Sequence, residues 1–367
     1  MLNYFYKPSN KFTVKGVLLV LLAVAVVGSI LAPVYLKLID WIPFIYLNIL
    51  MTAIYGAVIG LVVSKIVEKT KIRNVIMVLL AVLVGSVIVT AVKWSLYCYW
   101  DNDSYWGIKD FRENFTESDY VEFDDIIYEE LGFHFADSPI DYLTSPKELI
   151  NYIKYVNEEG RWNIKASVTA EGTDNYVKGG MLWLVWLIEA GIIIIIPVLM
   201  GIKKARYPFI EIDDDWAIKH EKEYNFKDVN LRTVKYEIAR NPRLIFDYEY
   251  LENIGVTRDF TTLTLFHSRD FQEGYISLSR KYFNEKKKDK YNTVLTVEYI
   301  NVDKAFIDEL WSESFANKPE NTAQKAAEEA SAAAMRAAYS DTPSENCPMD
   351  GISVPDGYNS AINDIEK

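Results

Sequence analysis

Glu189 is the side chain with most chemical consequence, because it is an ionisable group set well inside a long apolar run. A carboxylate in hydrocarbon is costly, and those retained face a bundle interior or a water-filled cavity. Counted from Met181 at the start of its run, Glu189 lies about 12 Å deep, a little short of the bilayer midplane. The same rise places Ser29, Thr52 and Ser86 at about 10 to 14 Å on three other runs, with Thr90, Asn48 and Lys93 shallower. Four runs therefore contribute polar groups at one level. Ser86 and Thr52 are the expected partners of Glu189, which should face the bundle and be protonated or hydrogen-bonded. Lys93, about 9 Å shallower along the axis, is expected to snorkel to the surface. The other halves of the runs, Val17 to Val27, Val75 to Val84 and Ile192 to Ile196, carry no group able to relay a proton or hold an ion. Only Tyr55 and Ser64 interrupt that half, so the expectation is a polar pocket with Glu189 at its floor and an aliphatic plug below. Glu189 then either joins helices or serves a ligand, ion or proton.

Ordinary catalytic signatures are missing. The histidines are His134, His220 and His267, and His220 with Glu221 begins a metalloprotease-like helix that fails at Tyr224, where a second histidine would be needed. The sequence has no phosphate loop, dinucleotide glycine fingerprint, nucleophile elbow or cysteine metal spacing. Acid clusters at Asp101 and Asp103, and at Asp124 and Asp125, lack the alternating ligands and glycine of a calcium loop. The expectation is a non-enzyme with no cofactor and no metal. Lys286, Lys287, Lys288 and Lys290, with Arg280 and Lys281, form a basic turn that is either solvated or docks on anionic lipid. The run Asp213, Asp214 and Asp215 reads as a linker acid cluster.

The elements that must position these residues are four apolar runs in a chain of 367 residues: Gly16 to Leu36, Phe44 to Val63, Val75 to Val92 with an aromatic extension to Tyr97, and Met181 to Ile202. About 20 residues of helix cross a hydrocarbon core of roughly 30 Å, and a backbone in lipid must satisfy its own hydrogen bonds. The fold class expected is membrane α-helical: a four-helix transmembrane bundle with a mostly helical extracytoplasmic insertion and a cytoplasmic α+β domain. The net charge of −12 is uneven, with −11 on residues 98–179, −7 on 203–367 and +6 on the remainder. That split excludes a single soluble globule, and the acidity excludes a nucleic-acid partner. Lys7, Lys11 and Lys15, then Lys65, Lys69, Lys71 and Arg73, then Lys203, Lys204 and Arg206 flank one side of the runs, so both termini are expected in the cytoplasm. Trp41, Trp94, Trp100, Trp183 and Trp186 form an aromatic belt on the other side. Cys98 and Cys347 then lie in different compartments and cannot pair. Gly56, Gly60 and Ser64 recur every four residues and let a neighbouring helix approach closely, within the chain or across a dimer seam.

The domain plan is an N-tail over 1–15, three spans over 16–97, an acidic cap over 98–179, a fourth span over 180–202, an α+β domain over 203–318, an alanine-rich helix over 319–340 and a disordered tail over 341–367. In the cap, Ser145, Pro146 and Glu148 predict a capping box with Gly160 as the stop, Ser118 to Leu131 predicts a second helix, and Lys165 to Ala170 predicts a strand. In the α+β domain, Phe260 to His267, Tyr275 to Phe283 and Thr293 to Ile300 alternate as strands, the last two as a hairpin. Another strand is expected after Asn241 and Pro242, and a helix over Lys304 to Trp311. Pro197 frees a carbonyl in the fourth run, and a static bend is expected there.

The segments Tyr6-Lys7-Pro8-Ser9-Asn10-Lys11-Phe12 and Pro43-Phe44-Ile45-Tyr46-Leu47-Asn48 resemble a group of uncharacterised polytopic inner-membrane proteins of bacteria. The likeness covers about the first 75 residues. It implies a bacterial cytoplasmic membrane and no activity. The functional expectation is a sensor or scaffold that couples the outer pocket and cap to the inner domain, with the bilayer and either a protein partner or a second copy as its contacts. The alternative is an ion- or proton-coupled transporter, or a subunit of one, using Glu189.

Overall fold

A computed structural model describes residues 4–41, 45–114, 116–160, 162–163, 176–252, 259–286 and 291–313. Apolar runs of this length form helices, and four are long and apolar enough to span a membrane: α1 (Val14–Trp41), α2 (Ile45–Lys69), α3 (Val75–Trp106) and α8 (Gly180–Ala205). Between α3 and α8 come α4 (Ile108–Asn114), α5 (Glu117–Leu131), α6 (Pro139–Thr144), α7 (Pro146–Glu159) and the two-residue strands β1 (Trp162–Asn163) and β2 (Tyr176–Val177). After α8 come β3 (Phe209–Ile210), β4 (Asp215–Trp216), β5 (Ile218–Lys227), α9 (Leu231–Arg240), β6 (Phe260–His267), β7 (Glu273–Phe283), β8 (Tyr291–Asp303) and α10 (Lys304–Ser312). The chain is thus mostly helical, with four candidate transmembrane helices and a small β-sheet domain.

Small residues set the helix packing. A Cβ on Gly60 would lie 2.5 Å from Met200 Sδ and 3.2 Å from Pro197 Cα, and one on Gly56 would lie 3.2 Å from the Ile192 carbonyl. The small-residue face of α2 therefore seats α8 within one chain. Gly28 on α1 and Gly85 on α3 do the same for each other's helices, against Val89 and Val24. Ser64 is half-buried beside them.

α3 runs past its apolar stretch without a break and carries the cap on its end. Cys98, Ile108, Phe133, Tyr142, Tyr152 and Leu182 belong to one buried cluster that joins α3, the cap helices and the start of α8. Tyr152 donates to Asp101 at 2.9 Å, and burial, reinforced by the Asp101 charge, pushes its hydroxyl well above the ordinary tyrosine range. α5 begins one residue before the expected Ser118, on the Thr116–Asp119 capping box. The box expected at Ser145 does not form its side-chain bond, although Pro146 and Gly160 bound α7 as expected. The predicted strand over 165–170 lies outside the described residues.

The domain after α8 is an antiparallel meander in the order β5-β6-β7-β8, with α9 and α10 on one face around Phe226, Phe246, Leu263, Ile276, Ile300 and Phe306. β6, β7, β8 and α10 fall where alternation and capping place them. The segment after Asn241 is not a strand but a 3-10 turn over Pro242–Asp247, because proline opens a helical turn readily and donates nothing to a sheet. His220 and Glu221 sit on β5, so the metalloprotease-like helix is absent in structure as well as in spacing. The alanine-rich helix and the tail lie outside the described residues.

Candidate functional site

The four long helices meet in a polar layer near the cap end. Tyr35 on α1 donates to Glu189 Oε1 on α8 at 2.7 Å, and Lys93 on α3 pairs with the same oxygen at 2.7 Å. Thr52 Oγ1 on α2 lies 2.8 Å from the Tyr35 hydroxyl, to which it donates, while the Asn48 carbonyl on its own helix, also at 2.8 Å, competes for the same proton. One hydrogen-bonded circuit therefore crosses all four helices. Tyr55 stacks on Tyr35 at 4.7 Å and donates to the Gly28 carbonyl at 2.8 Å, binding α2 to α1 just beneath the circuit.

This geometry overturns the expected role of Lys93. It does not snorkel: its side chain is 5% exposed and Glu189's is 13%. Side chains on a helix lean toward its N-terminus. α1 and α3 climb toward the cap, so Tyr35 and Lys93 lean away from it, whereas α8 descends and Glu189 leans back up. These opposed leans, with the four-methylene lysine stem, close a gap that counting Cα rise leaves open. Each of the two charges would be costly alone at that depth, and pairing with two hydrogen bonds on one carboxylate oxygen offsets the cost of both. The expected partners are corrected likewise. Thr52 reaches Glu189 only through Tyr35, and the Ser86 carbonyl accepts from Thr90 at 2.8 Å. Ser86 is buried, Ser29 is half-buried, and Asn48 Oδ1 is buried without a partner among the described residues. Tyr35 is the residue that depth counting missed. Its Cα sits near the run's end, and only the lean toward the N-terminus carries its hydroxyl to the level of Glu189.

Beside the ion pair is a cavity of about 50 Å³, lined by Leu36, Ile39, Lys93, Trp94, Tyr97, Leu182, Trp186 and Glu189. Trp94 and Trp186 meet edge to face at 4.7 Å, and the Lys93 ammonium lies 4.7 Å from the Trp94 ring centroid. On the side away from the cap, the helices close over Val20, Val24, Ile59, Val63, Val78, Val82 and Ile193, all buried. The aliphatic plug is present in the packing.

A second polar assembly joins the opposite end of the helices to the sheet domain. Tyr4 to Tyr6 pair with β8 through one antiparallel bridge at Phe5 and Ile300, with Tyr6 N–H donating to the Tyr299 carbonyl at 2.8 Å and Asn301 N–H to the Tyr4 carbonyl at 2.9 Å. The turn between α2 and α3 docks on β3 and β4. There Arg73 lies 3.8 Å over the Phe209 ring and pairs with Glu211, while Lys71 pairs with Asp214 at 2.9 Å. Lys11 reaches Glu211 at 3.0 Å, Lys204 reaches Glu68 at 3.0 Å, and Trp216 Nε1 donates to the Glu68 carbonyl at 2.9 Å. The acidic run is therefore no linker: Asp214 holds the turn, Asp213 accepts from the Arg269 N–H, and Asp215 pairs with Arg269 at 2.6 Å. Burial raises the Glu211 carboxyl, but Lys11 and Arg73 outweigh it and hold it below the usual carboxylate range. Lys71 holds Asp214 lower too.

The other candidates are dispersed. His134 bonds Asp124 at 2.8 Å in the cap, and no cluster of three metal-ligating side chains occurs among the described residues. Arg280 is held by Asp228, and Lys281 pairs with Glu223 at 3.3 Å, so neither is spare for lipid. Lys286 is exposed, while Lys287, Lys288 and Lys290 lie outside the described residues. Compared with protein-family models, with curated proteins and with solved structures, the chain matches none.

Proposed function

We propose that this chain is a non-enzymatic sensor or scaffold of the bacterial cytoplasmic membrane, with cap and cavity outside and the sheet domain and both termini inside. The observation that carries this reading is the physical continuity from cap to sheet. The cap is built on α3, α3 supplies Lys93 to the polar layer, and the turn that precedes α3 supplies Lys71 and Arg73 to the sheet domain. A change of state at Glu189 moves α3 against α8, and both helices lead directly into the β3–β4 junction. A partner protein or a second copy would read that movement on the sheet domain; the bilayer is the other contact.

The test is hydrogen exchange of the full-length protein in vesicles, comparing the parent with Glu189→Gln at residues 71–73 and 209–216. Altered protection there supports coupling, and identical protection refutes it. Ion- or proton-coupled transport is the second reading, favoured by the cavity beside an ion pair. Two features count against it: the circuit from Lys93 through Glu189 and Tyr35 ends at Thr52 on the cap side of the plug, and no carboxylate, lysine or histidine among the described residues interrupts the plug itself. Glu189-dependent flux in proteoliposomes would decide for transport.

A further inference from the structure

The cavity has the composition of an ammonium site that already holds a cation of its own. Glu189 supplies a carboxylate, Trp94, Trp186 and Tyr97 supply aromatic walls, and Lys93 places its ammonium against both the carboxylate and the Trp94 face. Aromatic faces beside an acid attract cations through the ring quadrupole, most strongly where water is excluded. About 50 Å³ stays open next to the pair. That is room for a few water molecules, or for a group of one nitrogen and a carbon or two, at roughly 10 to 15 Å³ per water.

We propose that this cavity receives a small primary ammonium group from the cap side, which competes with Lys93 for Glu189 and Trp94. An anion would face the Glu189 carboxylate across a lysine already committed to it. A second ammonium instead releases Lys93, whose flexible stem allows its head to withdraw toward the interface. The carboxylate requires N–H donors and the space is small, so a quaternary ammonium is excluded on both counts. A soluble amine and an ethanolamine headgroup share this chemistry. The inference rests on the sensing reading for its consequence, since exchange of one cation for another at Glu189 is the change of state that α3 and α8 would transmit.

The experiment uses the full chain in phosphatidylcholine vesicles, which offer no primary amine, with methylammonium binding followed by saturation-transfer NMR. The expected result is saturable binding to the parent, at least tenfold tighter binding to Lys93→Ala, and loss of the signal in Glu189→Gln. Trp94→Leu, which keeps the ion pair, should weaken binding at least fivefold and serves if a charge variant does not fold. Tetramethylammonium should give less than a tenth of the methylammonium signal. In vesicles containing phosphatidylethanolamine, a weaker apparent methylammonium affinity assigns the site to the headgroup and an unchanged one to a soluble amine. Absence of saturable binding to the parent, or equal binding to Glu189→Gln and Trp94→Leu, overturns the proposal. Protection of residues 71–73 and 209–216 in Glu189→Gln is measured without any amine, so coupling can survive while the ammonium site fails.

Discussion

Replacing Lys93 with methionine keeps most of the unbranched stem, one atom shorter, and removes its charge from Glu189. Breaking a buried ion pair from one side costs about 3 to 5 kcal/mol, because the remaining charge has lost its partner. Here Tyr35 still donates to the same carboxylate oxygen at 2.7 Å. A hydrogen bond to a charged group retains about 1.5 to 3 kcal/mol, so the loss should fall at the lower end, near 3 kcal/mol. Glu189→Gln, which leaves an ammonium at 5% exposure without its carboxylate, should cost less, because the lysine stem lets the head withdraw toward the interface. The double variant removes both charges and should cost less than either single change, since a buried pair replaced by neutral groups is often close to neutral. The assay is a double-mutant cycle on reversible unfolding in vesicles or mild detergent. Two single costs that simply add would refute the pairing and, with it, the assignment of the polar layer.

Gly60→Leu should destabilise the helices by about 1 to 3 kcal/mol, because α8 backbone at Pro197 leaves no room, whereas Gly191→Ala, with nothing within 4 Å of the new Cβ, should be neutral or slightly stabilising; thermal unfolding separates them. The junction of turn and sheet should loosen in acid. Glu211 and Asp214 are held below their ordinary values, so their contribution is complete above the usual carboxylate range near pH 4 and is lost as pH falls below it, and hydrogen exchange of residues 209–216 against pH should show protection dropping there. Because Lys11, Lys71 and their acids are largely exposed, salt near 1 M should weaken the same junction at neutral pH. Tyr152→Phe should cost the cap about 1 to 3 kcal/mol by leaving Asp101 without its phenolic donor, read as lower exchange protection in α7 with the helices below unaffected.

Periodicity and apolar length made much of this architecture legible. The four long helices, α5, β6, β7, β8 and α10 all stand close to where hydropathy, alternation and caps place them, because each buries a face whose pattern the element imposes. β5 escaped because Ile218–Lys227 is an edge strand with charged residues on both faces over much of its length, so it shows no alternation to read. α9 did carry a legible stripe, with Leu231, Val234, Ile238 and Ala239 at i, i+3, i+7 and i+8, but over only ten residues between two strands it was not read as a helix. Glu189 was legible as a lone acid in hydrocarbon, and Thr52 as polar at the same level. Tyr35 and the Lys93 pairing were not, since height along a helix axis records the Cα and says nothing of the direction a long side chain leans. The junction was invisible for a different reason. Lys71, Arg73, Lys11 and Lys204 read as orientation charges, and their partners Glu211, Asp214 and Glu68 are distant in sequence from every one of them.

The most direct test of the account is the side of the membrane on which each end of the helices emerges. Single cysteines replace Asp137 in the cap and Lys286 beyond β7, in a chain whose Cys98 and Cys347 are serine, and intact cells are treated with a membrane-impermeant maleimide. Both positions are exposed on the folded protein. Labelling at 137 in intact cells, and at 286 only after permeabilisation, is the result expected; labelling at 286 without permeabilisation, with 137 protected, would contradict the arrangement from which cavity, junction and coupling are all argued.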